Sequence, residues 1–202
     1  MKDTYKTITK ASEASLYKEK GSKFYGYVIP VLTEKEIVEG IEKVKVKHHK
    51  ARHWCYAWQL GKEEISFRVN DDGEPSNSAG QPIYGQILAK ELTNVLIVVV
   101  RYFGGVKLGV GGLVRAYKTA AQLAVDSSEI VTKTIDNDYQ LVFEYKDMNK
   151  IQRVVKKYAV KITGQELLYK CQYDIRIRKG KSKEIIDAFK KLRCVEIKEL
   201  GA

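Results

Sequence analysis

The sequence predicts a mixed α/β protein (α/β with α+β character) built as two small domains, residues 1–135 and 136–202. Three observations carry that prediction. Helical and strand-like apolar periodicities alternate along the chain. A composition of 44% hydrophobic and 30% charged residues can bury a core and keep a solvated surface. No fixed-period repeat or low-complexity stretch interrupts the pattern.

In chain order, residues 21–31 (GSKFYGYVIPV) mix aromatic and β-branched residues and close on Pro30, as a strand running into a turn does. Thr33 with Glu36 forms a capping box, and Ile37, Ile41 and Val44 recur at helical spacing, so residues 33–49 read as a helix. Trp54, Tyr56, Trp58 and Leu60 alternate with smaller or polar residues in a strand whose hairpin partner is 63–70. Residues 70–82 collect Asp71, Asp72, Gly73, Pro75, Gly80 and Pro82 and read as an ordered loop. A short helix over 83–92 follows, then NVLIVVVRYF, whose apolar run does not alternate and predicts a strand buried on both faces. From Leu113 the spacing of Ala116, Tyr117, Ala120, Ala121 and Ala124 predicts a long helix ending near Ser127.

Beyond residue 135 the predicted order is strand 138–145, helix 147–158, strand 159–163, strand 166–178, helix 182–192 and strand 193–199. That is the βαββαβ order of a ferredoxin-like domain. Its first helix gathers Met148, Ile151, Val154, Val155 and Tyr158 on one face and Lys150, Arg153 and Lys157 on the other.

The opening twenty residues lack the apolar core of a signal peptide, and Val95–Val100 is too short to cross a bilayer, so the expectation is a cytoplasmic protein without a membrane partner. Cys55, Cys171 and Cys194 are odd in number and show no C-x-x-C spacing, which argues against a disulfide framework or cysteine-rich zinc site. The net charge of +11 favours polyanionic partners. Residues 136–202 hold 16 Lys/Arg against 10 Asp/Glu, net +6, while the twice-longer 1–135 holds 20 against 15, net +5.

Three segments, HHKARHWCYAW at 48–58, NDDGEPSNSAGQP at 70–82 and VLIVVVRYFGGVKLGVGGLVRAY at 95–117, closely resemble the IMPACT family, YigZ type. The resemblance implies an N-terminal two-layer α/β domain like the second domain of a small-subunit ribosomal protein and domain IV of elongation factor G. It also implies a ferredoxin-like C-terminal domain similar to another elongation factor G domain, and a link to translational regulation. It implies no particular catalysis, and the mode of the eukaryotic members, which act through an additional N-terminal module, does not carry over. Asn77 and Ser78 stand where Gly-Thr is common, His49 where Pro is common and Trp54 where Asn is usual. A side chain at 77 restricts the backbone freedom that glycine would have there.

The glycine-rich segment 101–115 joins a buried strand to a helix start, where free N–H groups and the helix dipole favour an anion, and Arg101, Lys107 and Arg115 flank it. It is neither a Walker A loop nor a G-x-G-x-x-G loop, so no nucleotide cofactor is indicated. Two readings of Gly104, Gly105, Gly109, Gly111 and Gly112 stand together: a cradle for phosphate, or tight turns and close helix-to-sheet packing.

His48, His49, His53 and Cys55 admit a loose zinc reading, against which stands a packed His53 and Cys55 with His48 or His49 capping a helix and His49 exposed. Asp71, Asp72 and Glu74 are candidates for Mg²⁺ binding or general-base work, or simply for turn formation. Trp54, Tyr56 and Trp58 offer a stacking platform for unpaired bases or a core contribution. Lys150, Arg153 and Lys157 could follow a phosphate backbone or form a solvated helix face. The expected function is RNA or ribosome binding that modulates translation. The competing class is an enzyme acting on a small phosphorylated or carboxylated substrate, with His53, Asp71, Asp72 or Glu74 as acid/base.

Overall fold

A computed structural model describes residues 3–200, so the terminal residues of the two predicted domains, 1–2 and 201–202, lie outside the described residues. Contacts divide the chain into one unit of residues 5–133 and another of residues 134–200 together with residues 3–4.

The first unit runs β1 (Thr4–Ile8), β2 (Ser15–Glu19), β3 (Ser22–Pro30), α1 (Glu34–Lys47), β4 (His53–Leu60), β5 (Ser66–Asn70), α2 (Gly80–Ala89), β6 (Val95–Tyr102), α3 (Gly109–Asp126) and β7 (Ile130–Thr134). Five strands form a sheet in the order β2-β3-β6-β4-β5, every neighbouring pair antiparallel, and β1 pairs with β7 separately. Thr33 caps α1 through its hydroxyl, accepting from the Glu36 amide at 3.2 Å, and the Glu36 carboxylate accepts in turn from Leu32 N at 2.6 Å. The capping box therefore returns its bond one residue upstream of the cap.

The central strand β6 is buried on both faces because helices cover both. Val95, Ile97 and Val99 join the core under α2 and α3, with Cys55, Ala57, Ile83, Ala116, Tyr117 and Ala120. Leu96, Val98 and Val100 join the core under α1, with Tyr27, Ile37, Ile41, Val44 and Trp58. The alanines of α3 matter here: the Ala120 carbonyl would lie 2.7 Å from a Cβ placed on Gly26 of β3, so helix and sheet are in near-backbone contact.

The second unit runs β8 (Asp136–Glu144), a 3₁₀ turn (Tyr145–Asp147), α4 (Met148–Tyr158), β9 (Lys161–Leu167), β10 (Lys170–Arg178), α5 (Lys179–Lys190) and β11 (Val195–Glu199). Its antiparallel sheet has the order β11-β8-β10-β9, the 4-1-3-2 arrangement of a ferredoxin-like domain. Leu141, Phe143, Ile151, Tyr173, Ile175 and Phe189 form its core, and the α4 residues Met148, Val154, Val155 and Tyr158 pack against it.

Several boundaries differ from the sequence reading. Short β1, β2 and β7 were not predicted. Helix α2 starts at Gly80 rather than 83, because Pro82 in the first turn gives up an N–H that has no intrahelical partner anyway. The β9–β10 turn lies at 168–169, not 164–165; Gly164 instead sits at a bulge, where the register shifts between Asp174 and Ile175. Asn77 takes φ 61°, a left-handed conformation that Asn tolerates well. Among the described residues, no helix is long and apolar enough to cross a membrane.

Candidate functional site

His48, His53, the acidic loop and the glycine segment singled out in the sequence meet at one end of the five-stranded sheet. There Phe24 of β3, Arg101 of β6 and His53 of β4 pair side by side, as do Tyr25, Val100 and Trp54 one step along. Because side chains alternate across a strand, the two rows project to opposite faces. The first row lies on the α2/α3 side and the second on the α1 side.

On the α2/α3 side the acidic loop 71–79 is closed by its own side chains. Asp71 Oδ1 accepts from Ala79 N and Gly80 N at 2.9 and 2.8 Å, and its Oδ2 accepts from Asn77 N at 2.8 Å. It thus caps α2, which has no side-chain cap from Ala79. Asp72 Oδ2 accepts from Trp54 N at 2.7 Å, and the Asp72 carbonyl lies 2.8 Å from His53 Nδ1. Glu74 Oε1 accepts from Arg101 Nη1 and from the Tyr117 hydroxyl, both at 2.7 Å, with only 4% of the Glu74 side chain and 7% of the Arg101 side chain exposed.

These contacts correct several assignments. Arg101 is not an anion clamp facing the loop; its charge is matched by Glu74 inside the protein, beside the rings of Phe24 and Phe103. Asp71 and Asp72 are occupied by backbone N–H groups, and Glu74 is a buried ion-pair partner, so none of the three is an open general base or Mg²⁺ ligand. Cys55 Sγ lies 2.9 Å from the Asp71 carbonyl and 3.3 Å from the Tyr117 hydroxyl, and burial raises its thiol pKa far above the ordinary range. Burial likewise holds Tyr117 as a neutral phenol. The sequence reading placed Tyr117 on the apolar face of α3 but gave it no part in the site; its signal was one aromatic residue amid the alanines of α3.

The glycine segment has two parts. Residues 103–108 form the loop, and Gly109, Gly111 and Gly112 belong to the first turn of α3 rather than preceding it. Gly104 packs backbone to backbone on the β2–β3 turn: a Cβ there would fall 1.9 Å from Gly21 C. Its N–H donates to Ser22 Oγ at 3.1 Å. Gly105 and Gly109 take φ of 89° and 70°. Gly111 has an ordinary φ and open space where a Cβ would go, so the expectation of a turn or close approach at that residue is not met. Helix α3 has no side-chain cap and no acidic residue in its first turn, in contrast to α1. Lys107 and Arg115 are both exposed.

On the α1 side, His48 closes the C-terminus of α1 and its ring sits among phenols. Nε2 lies 2.6 Å from the Tyr27 hydroxyl and Nδ1 lies 3.1 Å from the Tyr102 hydroxyl. A neutral imidazole offers one donor and one acceptor, which suits two phenols, and burial together with Lys47 lowers the His48 pKa. The sheet separates His48 from His53 and Cys55, and His49 is exposed, so the zinc reading has no common site. Trp58 is core, with 8% of its surface exposed, Trp54 and Tyr56 pack against the same core and the Trp54 indole N–H is buried without a partner, so of the two readings of this strand the core contribution holds and the stacking platform does not. Beyond the end of α1 the same face opens into a cleft of about 430 Å³ lined by Gly21, Lys23, Tyr25, His48, Tyr102 and Phe103.

In the second unit, Lys150, Arg153 and Lys157 lie on the exposed face of α4, as predicted from periodicity. Lys150 is paired with Asp147 at 2.7 Å, and Lys157 lies over the Tyr158 ring at 5.1 Å.

Comparison with known proteins identifies this architecture. The Impact N-terminal domain family matches residues 20–125, the span holding both loops and the cleft. The chain is 34% identical over 157 residues to the IMPACT family member YvyE of Bacillus subtilis, covering 78% of this chain and 72% of that protein. It is 35% identical over 128 residues to the IMPACT family member YigZ of Escherichia coli, covering 62% and 63%. A crystal structure of a hypothetical protein superimposes with a TM-score of 0.71 at 25% identity, over 98% of this chain and 97% of that one. With the acidic loop, the glycine segment and the strand between them all inside the matched span, the chain belongs to the IMPACT family, YigZ type.

Proposed function

We propose that the protein binds RNA, alone or within the ribosome, through the start of α3 and thereby modulates translation. The observation that carries this reading is the contrast between the uncapped, acid-free first turn of α3, flanked by exposed Lys107 and Arg115, and the internally paired Arg101. A helix N-terminus offers N–H donors and a partial positive charge, and phosphate completes both. Open space at Gly111 lets a phosphate oxygen approach the helix backbone. The net charge of +11 supplies long-range attraction, with Arg153 and Lys157 as an auxiliary basic surface and Lys150 contributing less because Asp147 holds it.

An enzymatic role on a small phosphorylated or carboxylated substrate has weaker support, because Asp71, Asp72 and Glu74 are engaged in holding the fold. Titration of mixed single-stranded RNA at increasing KCl tests the binding reading. Affinity should fall steeply, each neutralised phosphate adding ~0.7 to the log–log slope. Affinity that stays millimolar at low salt would overturn the reading. An unchanged cell-free translation rate on adding the protein would overturn the translational part.

A further inference from the structure

The cleft at the end of α1 is not explained by the fold or by the basic helix start. Of its six lining residues, three are the aromatic Tyr25, Tyr102 and Phe103, one is Lys23, and none is acidic. We propose that it receives one unpaired nucleobase of a bound RNA strand, with Lys23 holding an adjoining phosphate. This rests on the RNA reading above and adds to it a base-dependent contact.

The first argument is exposure. Phe103 is 55% exposed although it sits at the start of the loop, and no core cluster includes it. The Arg101 guanidinium, from the α2/α3 side of the sheet, lies 5.6 Å from the centre of its ring in a cation–π contact.

The second is preorganisation. Tyr25 and Tyr102 meet edge to face at 5.8 Å, Tyr25 lies 5.0 Å from His48, and His48 is hydrogen-bonded to the Tyr102 and Tyr27 hydroxyls. Rings fixed in this way lose little freedom when a flat ligand enters. The volume, about 430 Å³, falls within the ~300–1,000 Å³ range of small-molecule sites.

The third is chemistry and continuity. Three aromatic rings in the lining suit a flat heterocycle better than an aliphatic side chain, and Lys23 with no carboxylate among the lining residues suits a phosphodiester. Phe103 is also the first residue of the segment that leads through Lys107 to α3, so cleft and helix start are joined by one short stretch of chain.

The test compares a fluorescein-labelled twelve-residue oligoadenylate with an abasic ribose-phosphate strand of the same length, read by anisotropy at low salt. Oligoadenylate should bind about ten-fold more tightly than the abasic strand, in line with the stacking of one base on an aromatic ring. Phe103→Ala should remove that difference without changing affinity for the abasic strand, and Phe103→Trp should restore it. Phe103→Leu, which keeps an apolar side chain over Arg101 but no π face, should behave as Phe103→Ala and guards against a folding defect. Equal binding of both strands by the unmodified protein would overturn the base pocket while leaving the RNA reading intact. Weak binding of both would defeat the RNA reading and the pocket with it. An acidic aromatic peptide that binds in a Phe103-dependent manner, while oligoadenylate binding ignores Phe103, would assign the cleft to a protein partner and overturn the proposal.

Discussion

Two loops at the same end of the five-stranded sheet are built on opposite plans. The acidic loop 71–79 turns its charges inward: one carboxylate gathers three backbone N–H groups, a second holds β4, and a third neutralises a buried arginine. The glycine segment turns its chemistry outward, touching the fold where Gly104 meets Gly21 and Ser22 and where Leu108 packs on the core under α2 and α3, with Phe103, Val106, Lys107 and Val110 exposed. A charged residue in a turn-rich loop is therefore not in itself a candidate for chemistry. What decides is whether backbone donors nearby already satisfy it.

If this contrast is right, the largest loss of stability belongs to the inward loop. Glu74→Ala leaves Arg101 buried without its partner and should cost about 3–5 kcal/mol, measured by urea denaturation. Glu74→Gln, which can still accept a hydrogen bond, should cost less. A Glu74→Ala variant as stable as the parent would show that water reaches Arg101 and that the loop is not closed.

Glycine substitutions divide the outward segment. Gly104→Ala forces a Cβ into the Gly21 backbone and should destabilise by about 3 kcal/mol. Gly111→Ala meets open space within a helix and should be neutral or stabilising by about 0.5–1 kcal/mol, while crowding an anion at the helix start. Equal melting temperatures for the two variants would contradict the backbone contact.

These glycines show how much the sequence could disclose. The buried β6, α1, the alanine-rich α3 and the ferredoxin-like order were legible, because each has a periodicity sustained over many residues or a specific order of elements. β1, β2 and β7 were not, since a five-residue strand such as Ser15–Glu19 at a sheet edge carries too few apolar positions to declare a period. Within the site, the spacing around Arg101 predicted a strand-to-helix junction correctly. It could not say that Arg101 faces Glu74 rather than the loop, because that choice depends on a pairing 27 residues apart in sequence. The aromatic cleft was hidden for the same reason: Tyr25, His48 and Tyr102 come from three separated segments.

A smaller effect should appear with pH. The pKa of His48 is lowered in the folded protein, so its contribution is fully present above the unfolded value near 6.5 and is lost as pH falls toward the folded value. Below about pH 6.5 the unfolded chain takes up a proton that the folded imidazole, set between Tyr27 and Tyr102 and near Lys47, resists. His48→Gln should therefore flatten the decline in stability between pH 7 and pH 5, measured by denaturant titration against the parent. Parallel pH profiles for parent and variant would contradict this.

The central claim, that the start of α3 is an outward-facing phosphate site, is tested most directly with the double variant Lys107→Ala, Arg115→Ala. Its RNA affinity should be measured across a KCl series beside its melting temperature. Both side chains are exposed, so the melting temperature should stay within the small range of ordinary surface substitutions. The log–log salt slope should fall by ~0.7 for each phosphate contact removed. An unchanged affinity and slope in a folded double variant would contradict the account and leave the glycine segment as packing alone.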